Sequence, residues 1–276
     1  MTPSSSVSLV MLETRFHGLA TMTLQQWTRR INFHEVVVFS DKNLLPGSKW
    51  VPINPLVDEN RDYGDILVRG MWPFIKSEYM ILINWDTLLR DQTRWSLDFF
   101  EYDYIGSMWP WQAPHTDNTD HCGISWRSKR LLEAMRYPAV ESIVDTTPYH
   151  VSHQTEKIMR DKFGIRISER DMDRRFALEL DVDDDGTSFA VRGLWNIINV
   201  FSRDVSEGYV LNMPLMMWDD LKAAHEIIAA LVNRNYIDMI QYHSKNIKES
   251  ASYESLMNWL AQETFPQQQT VLRILS

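Results

Sequence analysis

The chain has 276 residues, 44% of them hydrophobic and 24% charged, a composition typical of a globular protein long enough to bury a sizeable core. Its formal net charge of -9 argues against broad binding to DNA or RNA, because that affinity comes from neutralising phosphates with Lys and Arg. The single cysteine, Cys122, excludes an internal disulfide.

The sequence predicts neither a targeting segment nor a membrane span. Its first residues lack the basic start and the sustained apolar core of a signal peptide. No apolar run approaches the roughly 20 residues that cross a bilayer. Because a lone cysteine is also typical of a reducing compartment, we expect a cytoplasmic protein.

Apolar runs alternate with helix-like stretches through the N-terminal part of the chain. The pattern predicts strands over residues 7–12, 35–39, 49–53, 78–83, 102–106 and 122–126. It predicts helices over residues 19–31, 63–75, 128–135, 154–162 and 219–242. Pro73 is expected to disturb the second helix, Ser128 to cap the third and Gly164 to end the fourth. Residues 107–120, rich in Trp, Pro, His and Asp, are predicted to form a long loop that acts as a lid.

These elements predict an α/β fold with a Rossmann-like, mostly parallel central sheet flanked by helices. We expect a catalytic domain over residues 1–205 and a helical C-terminal extension over residues 206–276 that packs on it. A dimer contact and a share in acceptor binding are the alternatives for the extension. A homodimer is therefore left open.

A first polar group, Asn84-Trp85-Asp86, follows the strongest predicted strand. In open α/β sheets the ligand lies beyond the carboxyl ends of the strands. A carboxylate there can bind a divalent cation that bridges a diphosphate and neutralises the leaving group. The alternative is structural, since Asp86 could instead cap the next element or form an Asx turn.

Aromatic and acidic residues alternate around the strand predicted over residues 102–106. Asp103, Trp109 and Trp111 could bind a sugar, because aromatic rings stack on sugar faces while carboxylates accept from sugar hydroxyls. The alternative is an aromatic-rich strand in the core.

Two further groups carry polar residues in positions that suit a site. Gly123 would allow close approach of a ligand to the backbone, and Arg127 could meet a phosphate. A tight strand-to-helix turn uses the same residues. Glu156 could deprotonate an acceptor hydroxyl, or it could form an ordinary helix-surface pair with Arg160.

In order along the chain, these groups resemble a GT-A-like glycosyltransferase family found in bacterial polysaccharide and surface-glycan gene clusters. The family pattern has a strand ending in Gln-x-Asp, a Tyr-Asp-Tyr-Ile-Gly-Ala-Pro-Trp stretch, Gly-Gly-Phe-Ser-Leu-Arg-Ser, a Glu-Asp pair and a late His-Gly-x-Trp. The matching segments here are Asn84-Trp85-Asp86, Tyr102-Asp103-Tyr104-Ile105-Gly106-Ser107-Met108-Trp109, Cys122-Gly123-Ile124-Ser125-Trp126-Arg127-Ser128, Thr155-Glu156 and Arg192-Gly193-Leu194-Trp195. The resemblance covers roughly residues 7 to 200.

The resemblance implies a GT-A-like fold and assigns a role to each matching residue. It implies a nucleotide-sugar donor bound by Glu13, Thr14, Asp41, Asn84, Trp85, Asp86, Gly123, Ile124, Ser125, Arg127 and Arg192. It implies that Asp86 is the metal or donor contact and that Glu156 is the base of an inverting displacement. The implied donor is a UDP-sugar, and the implied acceptor is a glycan or another hydroxyl compound.

Two departures from the family pattern concern the cofactor. The Asp-x-Asp motif of GT-A enzymes is reduced to Asn84-Trp85-Asp86, and the late His is replaced by Arg192. A guanidinium cannot ligate a cation, but it can pair with a diphosphate. We therefore expect a weakened or lost requirement for Mn²⁺ or Mg²⁺, with Arg192 supplying positive charge.

Three function classes remain at this point. The first is an enzyme, a hexosyl- or pentosyltransferase. The second is a non-catalytic GT-A-fold module that binds a nucleotide or sugar. The third, a DNA-modifying sugar transferase of the phage type, is disfavoured by the net charge of -9.

Overall fold

A computed structural model describes residues 6–55, 66–107, 124–137, 153–179, 185–265 and 267–276. The chain divides into two compact units, Met1–Arg192 and Gly193–Ser276. All strands in the described ranges belong to the first unit. The domain boundary predicted after residue 205 thus falls inside the second unit.

The first unit is a mixed α/β structure built on two sheets. Its strands are β1 (Val7–Leu12), β2 (Glu35–Ser40), β3 (Lys49–Pro52), β4 (Tyr79–Ile83), β5 (Thr87–Leu89), β6 (Tyr104–Ile105), β7 (Ile124–Ser128), β8 (Ala177–Leu178) and β9 (Ala190–Arg192). The main sheet has the order β3-β2-β1-β4-β7-β6. Neighbours among β1 to β4 pair in parallel, whereas β7 is antiparallel to both β4 and β6. The predicted mostly parallel sheet is confirmed.

The parallel strands end together at one edge of the main sheet. Leu12 pairs with Phe39, and Met11 pairs with Ile83. The residues that follow β1, β2 and β4 therefore emerge side by side. We call this side of the sheet the carboxyl edge. The central strands β1 and β4 are almost entirely buried because both faces of the sheet are covered there.

The second sheet brings three distant parts of the chain to the end of β4. Its order is β5-β9-β8, and β5 begins one residue after Asp86. Thr87 pairs with Arg192 across the antiparallel β5 and β9, and Leu178 pairs with Val191 across the parallel β8 and β9. This register places Asp86, Arg192 and Glu179 next to one another.

The helices of the first unit are α1 (His17–Thr28), α2 (Lys129–Met135), α3 (His153–Phe163) and α4 (Arg170–Phe176), with short helical turns at Ile66–Gly70, Trp72–Phe74, Gln92–Arg94 and Leu97–Glu101. The Ser128 hydroxyl caps α2 by accepting from the backbone N–H of Leu131 at 3.0 Å, as predicted. Gly164, with φ of +60°, follows α3 as predicted. The described part of the helix predicted over residues 63–75 is two separate turns, because Pro73 provides no N–H for a continuing ladder.

The second unit is helical, with α5 (Leu194–Val200), α6 (Arg203–Val210), α7 (Met216–Asp219), α8 (Leu221–Asn233), α9 (Ile237–Lys248), α10 (Tyr253–Gln262) and α11 (Gln268–Leu275). The single helix predicted over residues 219–242 is wrong. Asn235 adopts a left-handed φ of +60° and separates α8 from α9. No described helix combines the length and the apolar character that crossing a membrane requires.

Candidate active site

The carboxyl edge collects the polar residues that follow three neighbouring strands. Glu13 and Thr14 follow β1, Asp41 follows β2, and Asn84-Trp85-Asp86 follows β4. Ile124 reaches the same edge because it pairs with Ile83 across β4 and β7. The structure thus brings together most of the residues predicted to bind the donor.

Glu13 shapes the turn between β1 and α1. Its Oε1 accepts hydrogen bonds from the backbone N–H groups of Arg15 at 2.6 Å and Phe16 at 3.0 Å. Its own N–H donates to the carbonyl of Phe39 at 3.0 Å, which ties the turn to β2. Glu13 and Thr14 are both buried. At least one carboxylate oxygen of Glu13 therefore supports the backbone of the edge.

Asp41 is paired with a histidine that the sequence analysis did not single out. Nε2 of His17 lies 2.6 Å from Oδ1 of Asp41, and this hydrogen bond is the main cause of a lowered pKa of the Asp41 carboxyl. His17 is the first residue of α1, and both side chains are partly exposed. Asp41 is therefore a fixed, ionised acceptor at the rim of the edge.

Oδ1 of Asp86 takes no part in closing the turn that contains this residue. The turn is closed by Asn84 and Thr87, through a backbone bond of 3.2 Å and a bond of 3.3 Å from the Asn84 N–H to the Thr87 hydroxyl. Oδ1 of Asp86 is buried and accepts no hydrogen bond within the part of the chain that the structure describes. An Asx turn at Asp86 through this oxygen is thus absent from the described residues, and the oxygen lies 3.6 Å from Nε of Arg192 instead.

Trp85 contributes to packing at the base of the same turn. Its ring lies edge-on to Phe16, with 5.3 Å between centroids, and is 9% exposed. Its carbonyl accepts from the hydroxyl of Thr23 on α1. The ring of Trp85 is therefore a fixed wall between the edge and α1.

Arg192 lies beside Asp86 and is bracketed by a second carboxylate. Its Nε lies 3.6 Å from Oδ1 of Asp86, within ion-pair range but long for a hydrogen bond. Its Nη1 donates to Oε1 of Glu179. Oε2 of Glu179 in turn accepts from the hydroxyl of Ser107, which follows β6 by two residues. A network of four side chains, Asp86-Arg192-Glu179-Ser107, therefore lines this end of the edge.

The sequence analysis missed Glu179 and Ser107 as members of the site. Glu179 directly follows β8, a strand of two residues, which is too short to give a periodic pattern. The acidic residue at the end of an apolar pair was the one available signal. Ser107 falls inside a motif of the family pattern, but nothing in its local sequence indicated a partner.

Arg127 and Ser125 do not line the edge, contrary to expectation. Both are almost fully buried; Nε of Arg127 donates to the hydroxyl of Ser125 at 2.9 Å, and its guanidinium lies 5.5 Å from the centroid of the Tyr104 ring. Because β7 runs antiparallel to β4, Arg127 pairs with Met80, toward the far end of the strand. Arg127 is therefore buried away from the carboxyl edge.

Asp103, predicted to bind the acceptor, also lies toward the far end of the sheet. It is 5% exposed and accepts from the hydroxyl of Ser128 at 2.7 Å and from the backbone N–H of Arg166 at 2.8 Å. Ser128 pairs with Tyr79, the first residue of β4. Asp103 therefore joins β6 to the start of α2 and is not brought to the carboxyl edge.

Four other predicted site residues are described in part or not at all. Gly123, Trp109 and Trp111 lie outside the described residues. Glu156 belongs to α3, and its side chain lies outside the described part of the structure. Their roles in donor binding, acceptor binding and catalysis stay predictions.

The side chains of this network already pair with one another. Oδ1 of Asp86 faces a guanidinium, and the two oxygens of Glu179 accept from Arg192 and Ser107. Among the described residues, no group of three His, Cys, Asp or Glu is arranged to hold a metal ion. Hard cations such as Mg²⁺ need several oxygen ligands. The weakened or lost requirement for Mn²⁺ or Mg²⁺ stays a prediction.

Comparison with known proteins gives likenesses to solved structures but no match to a family or to a curated protein. No protein-family model matches the chain, and no curated protein matches it at the significance required. A crystal structure of an active-site mutant of LgtC is similar to 72% of this chain and 91% of its own, with 11% identity and a TM-score of 0.43.

Proposed function

We propose that this chain is a glycosyltransferase of the GT-A type that moves a sugar from a UDP-sugar to a hydroxyl of a glycan or similar acceptor, with inversion. One observation supports the proposal above the others. Asp86 and Arg192 lie side by side just beyond β4, at the edge of a parallel sheet where ligands of open α/β folds bind.

The two side chains suit the two halves of a nucleotide-sugar donor. A guanidinium presents N–H groups in a planar fork that matches phosphate oxygens, so Arg192 is assigned to the diphosphate. A buried carboxylate oxygen that lacks a hydrogen bond from the described residues suits a sugar hydroxyl, so Asp86 is assigned to the donor sugar. Asp41, an ionised acceptor at the rim, is assigned to the ribose hydroxyls.

The proposed reaction is a single displacement at the anomeric carbon. The acceptor oxygen forms a bond to this carbon from the face opposite the diphosphate, and the bond from carbon to diphosphate oxygen breaks. The diphosphate leaves with the bonding electrons, and the acceptor proton passes to a base. Glu156 is assigned as that base from the sequence resemblance. Arg192 opposes the negative charge that develops on the leaving group.

A non-catalytic binding module is the second candidate, and the charge of the network favours it. Asp86 and Glu179 carry one negative charge each against one positive charge on Arg192, so the three side chains sum to -1. A diphosphate must compete with both carboxylates for the guanidinium. A site of this kind could hold a nucleotide and yet stabilise a leaving group poorly.

Two measurements on the full chain distinguish these functions. Isothermal titration with UDP tests binding, and a panel of UDP-sugars tests UDP release with and without oligosaccharide acceptors. An enzyme binds UDP and releases it from at least one donor, whereas a module binds UDP and releases none. Failure of the chain to bind UDP or any other nucleoside diphosphate would overturn both.

A further inference from the structure

Glu179 is the best-buried charged residue of the network at the carboxyl edge, and it lies between Ser107 and Arg192. We propose that Glu179, anchored by Ser107, is a positioning residue that aims the Arg192 guanidinium at the donor diphosphate. The inference rests on the proposed function, because it assumes that a diphosphate binds at Arg192.

Both carboxylate oxygens of Glu179 accept hydrogen bonds. The side chain is 3% exposed; Oε1 accepts from Nη1 of Arg192, and Oε2 accepts from the hydroxyl of Ser107. Ser107 itself is fully buried. Because each oxygen has its own donor, the carboxylate cannot rotate without breaking a bond. Glu179 is therefore a rigid support for one side of the guanidinium.

The other side of the guanidinium is fixed by strand register. Arg192 is the last residue of β9 and pairs with Thr87, so Asp86 lies next to it on one side. Glu179 follows β8, the neighbour of β9 on the other side. Nε of Arg192 faces Asp86 and Nη1 faces Glu179, so the plane of the fork is set by two carboxylates.

A buried carboxylate is costly to the fold, which argues that its retention here serves binding. Removing a buried ion pair in favour of apolar residues is often neutral or stabilising, so such a pair is weak evidence for stability alone. Arginine has a long side chain with many rotamers, and a ligand that had to order it would bind more weakly. Holding the fork in advance removes that cost.

The test compares ligands with and without a diphosphate. UDP and uridine are titrated by calorimetry, in EDTA, into the unaltered chain and into the Glu179→Gln, Ser107→Ala and Arg192→Lys variants. Glu133→Gln, an exposed glutamate of α2, is the matched control. Thermal unfolding of each variant shows whether it folds.

We expect Glu179→Gln to weaken UDP binding about tenfold, and Ser107→Ala about threefold, while uridine binding changes less than about twofold. Arg192→Lys should lose about as much UDP affinity as Glu179→Gln. The Glu179→Gln/Arg192→Lys double variant should lose little more, because both changes remove the same interaction. Glu133→Gln should bind both ligands as the unaltered chain does.

Two results would overturn the inference while the proposed function survives. One is UDP affinity that is unchanged in Glu179→Gln; the other is an equal loss for UDP and uridine, the mark of a merely structural role. If Glu179→Gln fails to fold, Ser107→Ala carries the same comparison with the ion pair intact. A chain that binds no UDP at all would overturn the proposed function and, with it, this inference.

Discussion

Oδ1 of Asp86 and Nε of Arg192 lie 3.6 Å apart, at 14% and 17% side-chain exposure, although the two residues are far apart in the sequence. The antiparallel pairing of β5 with β9 brings them together, with Thr87 opposite Arg192. In this partly buried setting, removing either charge would leave the other without a compensating partner. A change at either residue therefore acts on both.

Loss of Arg192 should destabilise the first unit. Arg192→Gln leaves two carboxylates, Asp86 and Glu179, without their cation, and we expect the free energy of unfolding to fall by about 3 kcal/mol. Urea unfolding followed by circular dichroism measures the change. Adding Glu179→Gln to Arg192→Gln should recover part of the loss, and Arg29→Gln, at an exposed site, should change little. Equal stability of the unaltered chain and Arg192→Gln would contradict the charge pairing described here.

Both the backbone conformation and the neighbouring Trp195 ring favour glycine at position 193. It adopts φ of +91°, and a Cβ added there would lie 2.7 Å from two ring carbons of Trp195. Gly193→Ala should therefore lower the free energy of unfolding by about 2 kcal/mol. The matched control is Gly18→Ala in α1, where no atom lies within 4 Å of the added Cβ and a small gain in stability is expected. A neutral Gly193→Ala would show that the ring moves freely away.

Asp173 on α4 should make stability fall as the pH rises. Burial raises the pKa of its carboxyl from 3.8 to about 7, although hydrogen bonds from Ser168 and from the Gly106 amide oppose the shift. Between these two pKa values the folded chain keeps a proton that the unfolded chain has lost. The free energy of unfolding therefore falls by about 1.4 kcal/mol for each pH unit, and the loss is constant above pH 7.

The neutral variant Asp173→Asn removes this dependence. Its stability relative to the unaltered chain should rise between about pH 4 and pH 7, by a few kcal/mol in all, and then stay level. Urea unfolding at several pH values gives the difference. A difference that is constant over this range would show that Asp173 titrates near its ordinary pKa.

Asp103 is expected to contribute to stability and not to nucleotide binding. Asp103→Ala removes the acceptor of the Ser128 hydroxyl and of the Arg166 amide, and should cost about 1–3 kcal/mol of unfolding free energy. UDP affinity should stay within about twofold, because Asp103 lies toward the far end of the sheet. A selective loss of nucleotide or acceptor binding in a stably folded Asp103→Ala would restore it to the site.

The main sheet could be predicted from the sequence because its central strands are buried on both faces. Val7–Leu12 is apolar apart from Ser8, Tyr79–Ile83 is a hydrophobic run, and the polar residues that follow them mark the carboxyl edge. The second sheet could not be predicted in this way. Ala177–Leu178 and Ala190–Arg192 have two and three residues, too few for a periodic signal, so Glu179 was missed.

Strand direction and local backbone conformation explain two other wrong predictions. Arg127 was expected at the site because a guanidinium can meet a phosphate, but β7 is antiparallel to β4 and places Arg127 toward the far end of the sheet. The long C-terminal helix was expected because residues 219–242 keep a helical period across Asn235. Asn tolerates a left-handed φ, and it breaks the helix without any glycine or proline to signal the break.

A crystal structure of the full chain with UDP, grown in EDTA, would show whether the diphosphate binds at Arg192. We expect diphosphate oxygens within hydrogen-bond distance of the Arg192 guanidinium, with Asp86 beside them and Asp41 close to the ribose. UDP bound elsewhere on the chain, or bound at this edge only when Mn²⁺ is added and with its phosphates held by the metal, would contradict this expectation.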